Sequence, residues 1–269
     1  MSYIFDNERT ITTIKRFLKG KLLESGLSGY VVGLSGGIDS ALSAVLAVEA
    51  VGADKVLGVM MPYRLSSKAS VNDAQKLIDK LSIESRLIDI SPMIDAYFKE
   101  IDNTQKIRAG NKMARERMSI LFDIAQETGR MVLGTGNRTE ICLGYTTWYG
   151  DSACSLNPIG ELYKTEVRRL AVLLDIPQCI IDKIPSADLW AGQTDEGEIG
   201  VTYEQIDHIL MRIIDDGITS IAALEKDGFH PVDISRIVSM LNRNAFKRYL
   251  PEIAPLGKKP IPRQLELDT

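Results

Sequence analysis

Apolar and polar positions follow two rhythms along this chain, and the change between them marks out its organisation. Ile11, Ile14, Phe17 and Leu18 recur at helical spacing, which predicts an amphipathic helix over 7–23. A short unbroken apolar run follows from Tyr30 to Leu34 and reads as a buried strand, ahead of a glycine-rich turn and an apolar helix over 40–51. Further strands are predicted over 56–61, 86–90 and 131–134, separated by helices over 70–81 and 109–128. Short strands alternating with helices make βαβ units, and such units make a parallel sheet covered on both faces. The predicted fold class is α/β, a doubly wound parallel sheet.

From residue 161 the strand rhythm stops. A helix is predicted over 161–174, with Val167, Leu170, Ala171 and Leu174 inward and a stop at Asp175-Ile176-Pro177. The polar, glycine-containing stretch 186–200 is long for a connection, which makes it a candidate mobile cover. Helices over 203–215 and 232–247 complete a C-terminal helical extension. The expected organisation is one domain, with an α/β core over about 25–175, a helical part over about 176–255 and a loose tail over 256–269.

Composition narrows the function classes. Of 269 residues 45% are hydrophobic and 25% charged, the balance of a soluble globular chain. The net charge of −4 argues against a general nucleic-acid surface, although Lys112, Arg115 and Arg117 could serve one anionic ligand. Three cysteines, Cys142, Cys154 and Cys179, are too widely spaced for a CxxC pair, which disfavours a disulfide framework, a zinc ribbon or a redox dithiol. The N-terminus lacks the pattern of a secretory signal, and no apolar run approaches the roughly 20 residues of a membrane span. A cytoplasmic location is expected.

The candidate chemistry begins at Gly33-Leu34-Ser35-Gly36-Gly37-Ile38-Asp39-Ser40, directly after the first strand and before an apolar helix. Glycines let a ligand approach the backbone, and a helix N-terminus offers unpaired amides to phosphate. Asp39 stands where a loop built only to neutralise phosphate would place a cation, so its presence implies a shared Mg²⁺. The Walker pattern is absent, which disfavours γ-phosphate transfer. The same letters match GxSxG, the nucleophile elbow of serine hydrolases, with His208 and His230 downstream. Against that rival, a single helix precedes the strand, no HGGG segment exists, and Asp39-Ser40 would have no purpose.

A second constellation follows the fourth strand, Gly134-Thr135-Gly136-Asn137-Arg138-Thr139-Glu140. It is not GxGxxG, so NAD as a hydride cofactor is unsupported. Ligands of doubly wound sheets bind beyond the strands' carboxyl ends at the switch in strand order. Thr135 and Glu140 can therefore meet Asp39, and two carboxylates with phosphate oxygens make a plausible magnesium shell.

SGGxDS after the first strand resembles the signature of the PP-loop ATP-pyrophosphatases, whose fold is adenine nucleotide α-hydrolase-like. GTxxxxE, then GYTTWYGD over 144–151, NPIGELYKTEV over 157–167, GNKMARERM over 110–118 and PSADLWAGQTDE over 185–196 resemble, more narrowly, the ammonia-dependent NAD synthetase family. The resemblance runs from about residue 6 to 254. It implies that Gly33 through Ser40, Thr135, Lys164 and Ser186 bind ATP, and that Asp39 and Glu140 hold Mg²⁺. It further implies that Arg115, Asp151 and Lys247 contact deamido-NAD, with Tyr145, Trp148, Ser155 and Phe246 beside them, and that the protein is a homodimer. Many members carry Lys where Trp148 stands, some Asp at Ser155, and others a His-Lys pair at Phe246-Lys247.

The implied reaction is adenylation of the nicotinate carboxylate followed by amidation, giving NAD, AMP and pyrophosphate. Asp39 and Lys164 are the expected catalytic groups, and Asp151 is a candidate acceptor for the proton of ammonium. Only 34 residues precede the loop, too few for a glutaminase domain, so free ammonia is the expected nitrogen donor, from solution or from a separate subunit. Another PP-loop amidase or a thiolase remains the alternative, with a non-catalytic nucleotide-binding regulator and the serine hydrolase further off.

Overall fold

A computed structural model of the chain describes residues 5–99, 101, 105–186, 194–254 and 256. The first helix, α1 (Asn7–Ser25), is capped by Asp6, whose carboxylate accepts the Arg9 amide at 3.0 Å. Strand β1 (Gly29–Gly33) leads into α2 (Ile38–Val51), β2 (Val56–Met60), α3 (Lys68–Leu81) and β3 (Glu84–Leu87). Helices α4 (Ser91–Phe98) and α5 (Lys106–Thr128) return the chain to β4 (Arg130–Leu133). The strands are parallel in the order β3-β2-β1-β4. The chain thus steps outward from β1 to β3 and then crosses to β4 on the opposite side of β1. That reversal places the switch point between the carboxyl ends of β1 and β4.

Side-chain alternation divides the sheet between two apolar layers. Tyr30, Val32, Val56 and Leu133 pack with Leu18 of α1, Leu42 and Leu46 of α2 and Leu77 of α3. Val31, Leu57, Val59 and Val132 face the other way, onto Ile94 of α4 and Met113 and Ile124 of α5. Helix α2 is buried over most of its circumference because it sits among α1, the sheet and α7 (Lys164–Leu173). Truncating Leu42, wholly buried, to alanine would cost about 2–5 kcal/mol.

Short α6 (Arg138–Leu143) follows β4, and beyond α7 come α8 (Gln178–Ile181), α9 (Asp195–Ile199) and α10 (Tyr203–Leu210). Then α11 (Ile221–Lys226) and α12 (Pro231–Arg243) close the helical part. It has an apolar core of its own, in which Tyr203, Ile206 and Ile209 of α10 and Ile234 and Ile237 of α12 meet Leu143 of α6 and Tyr163.

Several boundaries differ from the apolar pattern. The helix predicted from residue 40 begins at Ile38, so Asp39 lies inside its first turn. The strand predicted over 86–90 is β3 at Glu84–Leu87, an edge strand that is exposed or half-buried and lacks a strong apolar signal. Periodicity missed α4 and α11, which are short. The helix predicted over 203–215 is α10 followed by a π-helical turn at Met211–Asp215, and that predicted over 232–247 ends at Arg243 before a 3₁₀ turn at Ala245–Arg248. Residues 187–193 of the expected cover and nearly all of the expected loose tail lie outside the described residues.

Candidate active site

Beyond β1 the chain turns so tightly that Gly36 adopts φ +75°, and a Cβ there would stand 2.1 Å from the Ser70 carbonyl oxygen. Only glycine fits. Gly37 caps α2 without a side chain, which leaves the first amides of a long helix open to an anion. Serines brace the turn. Ser40 Oγ donates to the Gly37 carbonyl at 3.0 Å and lies 3.2 Å from Ser35 Oγ, which accepts the Gly37 amide at 3.2 Å. Lys183, arriving just after α8, donates to the Gly36 carbonyl at 3.1 Å and to Ser70 Oγ at 2.8 Å.

Opposite this turn, β4 delivers α6. Asn137 and Glu140 form a capping box there, with Asn137 Oδ1 accepting the Glu140 amide at 2.9 Å and Glu140 Oε2 accepting the Asn137 amide at 3.3 Å. The remaining Asn137 Nδ2 donates across the switch point to Asp39 Oδ1 at 2.9 Å. Lys164, the first residue of α7 and 2% exposed, pairs its ammonium with Asp39 at 2.5 Å and with Glu140 at 3.4 Å. The ring of Tyr203 lies 5.1 Å below the same nitrogen. Tyr203 in turn donates to Asp195 Oδ2 at 3.0 Å, and Tyr145 donates to Glu198 at 2.6 Å.

Burial and the nearby charge of Asp39 push the Glu140 carboxyl up to about 8. Burial alone would lower Lys164, but Asp39 and Glu140 outweigh it and hold the ammonium above its ordinary range. Two carboxylates that already share one cation are a donor set a divalent ion can use. Among the described residues no group of three or more His, Cys, Asp or Glu side chains is placed to hold a metal. A cation at Asp39 and Glu140 would therefore complete its shell with ligand oxygens, as magnesium does.

These groups open onto one cavity of about 920 Å³. Gly33, Leu34, Ser35, Gly37, Ile38 and Ser40 line it along with Asp39, while Gly36 supports the turn from behind. Thr135, Glu140, Lys164 and Ser186 line the same end, and Tyr145, Asp151 and Lys247 the far end. Asp151 Oδ1 accepts the Thr147 amide at 2.8 Å, and Lys247 donates to the carbonyls of Gly144 and Thr146, each at 2.7 Å. Burial pulls the Lys247 ammonium down against the opposing charge of Asp151.

Four expected substrate residues sit outside the cavity wall. Trp148 stacks on Tyr149 with centroids 4.5 Å apart and meets the edge of Phe246 at 5.2 Å, while Arg115 Nε donates to the Trp148 carbonyl at 3.2 Å. Ser155 Oγ accepts the Val132 amide at 3.2 Å, extending the pairing of β4. Trp148 and Phe246, two positions singled out by the family resemblance, thus touch one another.

Sequence reasoning missed Asn137, Lys183, Asp195 and Tyr203. The Asn-x-x-Glu spacing of a capping box could have revealed Asn137. Asp195 lay hidden in a stretch read as a polar cover, and nothing local distinguishes Lys183. The elbow reading fails on geometry. Ser35 Oγ bonds Ser40 and the Gly37 amide, His230 accepts the Val232 amide as the cap of α12, and His208 lines a separate cavity with Met211 and Phe229.

A parallel sheet whose central strand feeds an amide-lined turn, flanked by a carboxylate–lysine cluster at the switch point, defines an α/β nucleotide-binding protein of the PP-loop, adenine nucleotide α-hydrolase-like fold. A sequence model described as NAD synthase matches residues 10–251, and the chain belongs to that family. It is 48% identical over 242 residues to the NH(3)-dependent NAD(+) synthetase of Fusobacterium nucleatum, covering 90% of this chain and 93% of the relative. Among solved structures, the NH3-dependent NAD synthetase of Campylobacter jejuni superposes with a TM-score of 0.80 at 34% identity, over 93% of this chain and 100% of the other. The NMN synthetase of Francisella tularensis superposes with a TM-score of 0.81 at 36% identity, over 93% and 99%.

Proposed function

We propose that this chain joins ammonia to the nicotinate carboxylate of deamido-NAD at the expense of ATP, releasing NAD, AMP and pyrophosphate. The observation that carries the reading is the meeting of Asp39, Glu140 and Lys164 beside an amide-lined turn at the switch point. A carboxylate is a poor acyl donor because its leaving group would be oxide. In the proposed path its oxygen attacks the α-phosphorus, the bond to the pyrophosphate oxygen breaks, and pyrophosphate leaves into the turn at Ser35 through Ser40. Ammonia then attacks the acyl carbon of the mixed anhydride, and AMP departs with the electron pair of the broken C–O bond.

The protein's share is positioning and charge stabilisation. Amides of the turn receive the departing phosphates, and Lys164 places positive charge at the reacting phosphorus. Asp39 and Glu140 would hold Mg²⁺, which when bound neutralises phosphate charge. Asp151, held by Thr146 and the Thr147 amide, keeps lone pairs to take the proton of ammonium. Free ammonia as the nitrogen donor accords with the names of the Fusobacterium and Campylobacter relatives. A homodimer is supported by the family resemblance and by α5, which leaves Ile107 and Phe122 exposed. Among the described residues no helix is long and apolar enough to cross a membrane.

The test is to incubate the protein with ATP, Mg²⁺, ammonium and deamido-NAD. NAD, AMP and pyrophosphate should appear in equal amounts, whereas ADP and phosphate would overturn the chemistry. The name of the Francisella relative favours a second reading, in which the acceptor is the mononucleotide and the product NMN. Competition between the two acceptors, scored by kcat/KM, decides between them.

A further inference from the structure

Asp207 belongs to α10, in the apolar core of the helical part, yet its side chain serves the catalytic helices. It is 0% exposed. Its Oδ1 accepts the hydroxyl of Thr139 at 2.5 Å, and its Oδ2 accepts the backbone amide of Thr165 at 2.8 Å. Thr139 Oγ1 in turn accepts the backbone amide of Lys164 at 3.0 Å. Thr139 precedes Glu140, and Thr165 follows Lys164. One carboxylate from a distant helix therefore holds the side chain that precedes Glu140 and the main chain that follows Lys164, the two groups that converge on Asp39.

We infer that Asp207 is a positioning residue for the reaction, acting through Thr139 to set the distance between Lys164 and Glu140. The inference rests on the roles proposed above for those two side chains. The first amides of α7 lack partners within the helix, so whatever accepts them decides where the helix begins. Lys164 is the first residue of that helix, and a displacement of its backbone moves the ammonium away from Asp39. Misplacement of about 1 Å can lower turnover about a hundredfold. The hydrogen-bond inventory explains why the carboxylate is needed. Asp207 accepts from both sides, whereas an asparagine amide would point two hydrogens at one of two donors.

Three variants test this, with Lys164→Met as reference. Asp207→Asn and Thr139→Val should lower kcat about tenfold to a hundredfold, with KM for ATP changed less than about threefold. Thr139→Ser, which keeps the hydroxyl, should remain near wild type. A readout independent of turnover is the NMR signal of the ¹⁵N-labelled Lys164 ammonium, assigned by its disappearance in Lys164→Met. It should move in Asp207→Asn and Thr139→Val and stay put in Thr139→Ser. If both variants only lower the melting temperature, with kcat and the ammonium signal of the folded protein unchanged, the inference is wrong. If wild type makes no amide product but the signal moves as expected, the reaction reading falls and the positioning role stands.

Discussion

On the sheet side of the cavity, the turn that could take an anion presents main chain. The turn after β1 presents amides, its glycine conformation is enforced by the carbonyl of Ser70, and α2 behind it is buried against α1, α7 and the sheet. Across the cavity, contacts are offered by side chains whose positions depend on hydrogen bonds to other segments. Lys164 is held through Thr139 and Asp207, and Lys247 by carbonyls about a hundred residues earlier. The first arrangement is local and fixed by covalent geometry. The second is assembled only when the helical part closes on α6 and α7, so its parts should be separable by mutation where those of the turn are not.

The sharpest way to break this contrast is Gly36→Ala. Its Cβ would collide with backbone at a positive φ, and nothing nearby can yield. Turnover should fall by about two orders of magnitude or more, and stability by about 1–3 kcal/mol. Gly136→Ala is the control, because a Cβ there meets Asn157 Nδ2 at 3.6 Å and Ile141 Cγ1 at 3.9 Å, both ordinary side-chain contacts, and both quantities should stay near wild type. Equal effects of the two in steady-state kinetics and thermal melts would remove the special status of the turn.

Lys164→Met comes next. Losing one partner of a buried ionic cluster leaves Asp39 and Glu140 facing each other without a cation, at a cost of about 3–5 kcal/mol. On the proposed path turnover should fall about a hundredfold or more, since Lys164 is there assigned the charge at the reacting phosphorus. Chemical denaturation and rapid-quench measurement of AMP formation would show both. A variant that was less stable but fully active would confine Lys164 to a structural role.

The same contrast decides what could be read without a structure. The turn at 35–40 was legible because its chemistry resides in consecutive residues between a strand and a helix. Glu140 and Lys164 were legible through family-like motifs, but their shared contact with Asp39 was not, because three separate elements make it. Asp207 carried no signal, since one aspartate on an amphipathic helix looks like any solvated charge until α10 is seen packed inward. Lys183 was invisible because it stands in a bend after α8 with no local pattern around it. Edge strand β3 was placed late because the predicted apolar run includes Ile88 and Ile90, which lie beyond it.

The Glu140 carboxyl gives a smaller, pH-dependent effect. Its folded value of about 8 lies above the ordinary 4.5, so the folded state binds a proton that the unfolded state releases between those limits. Stability of the ligand-free protein should therefore be greatest below about pH 4.5 as far as this group is concerned, and should decline as pH rises through about 8. From pH 6 to about pH 8, the part of that range the experiment samples, the decline is on the order of 3 kcal/mol, since each unit corresponds to about 1.4 kcal/mol. Urea unfolding at pH 6 and pH 9 should show it in wild type, and Glu140→Gln should flatten it. An identical slope in the variant would assign the titration elsewhere, with Glu166, pushed by burial up to about 7, as the next candidate.

The smallest effect concerns Ser155, which the family resemblance places among the substrate contacts and the structure places against β4. Its hydroxyl oxygen accepts the amide of Val132, and its own amide donates to the Val132 carbonyl at 2.8 Å. Ser155→Ala would leave the buried Val132 amide without this partner, at about 1–3 kcal/mol, and should not change KM for the dinucleotide. Lys247→Met should do the reverse, raising that KM about tenfold, because its ammonium sits at the far end of the cavity where the dinucleotide is expected. A KM change in Ser155→Ala comparable to that of Lys247→Met would mean that the segment following Asp151 turns its side chains toward the substrate when the ligand binds. The far side of the cavity would then be shaped by the ligand as well as by the fold, a property that the turn after β1, locked by Ser70, cannot share.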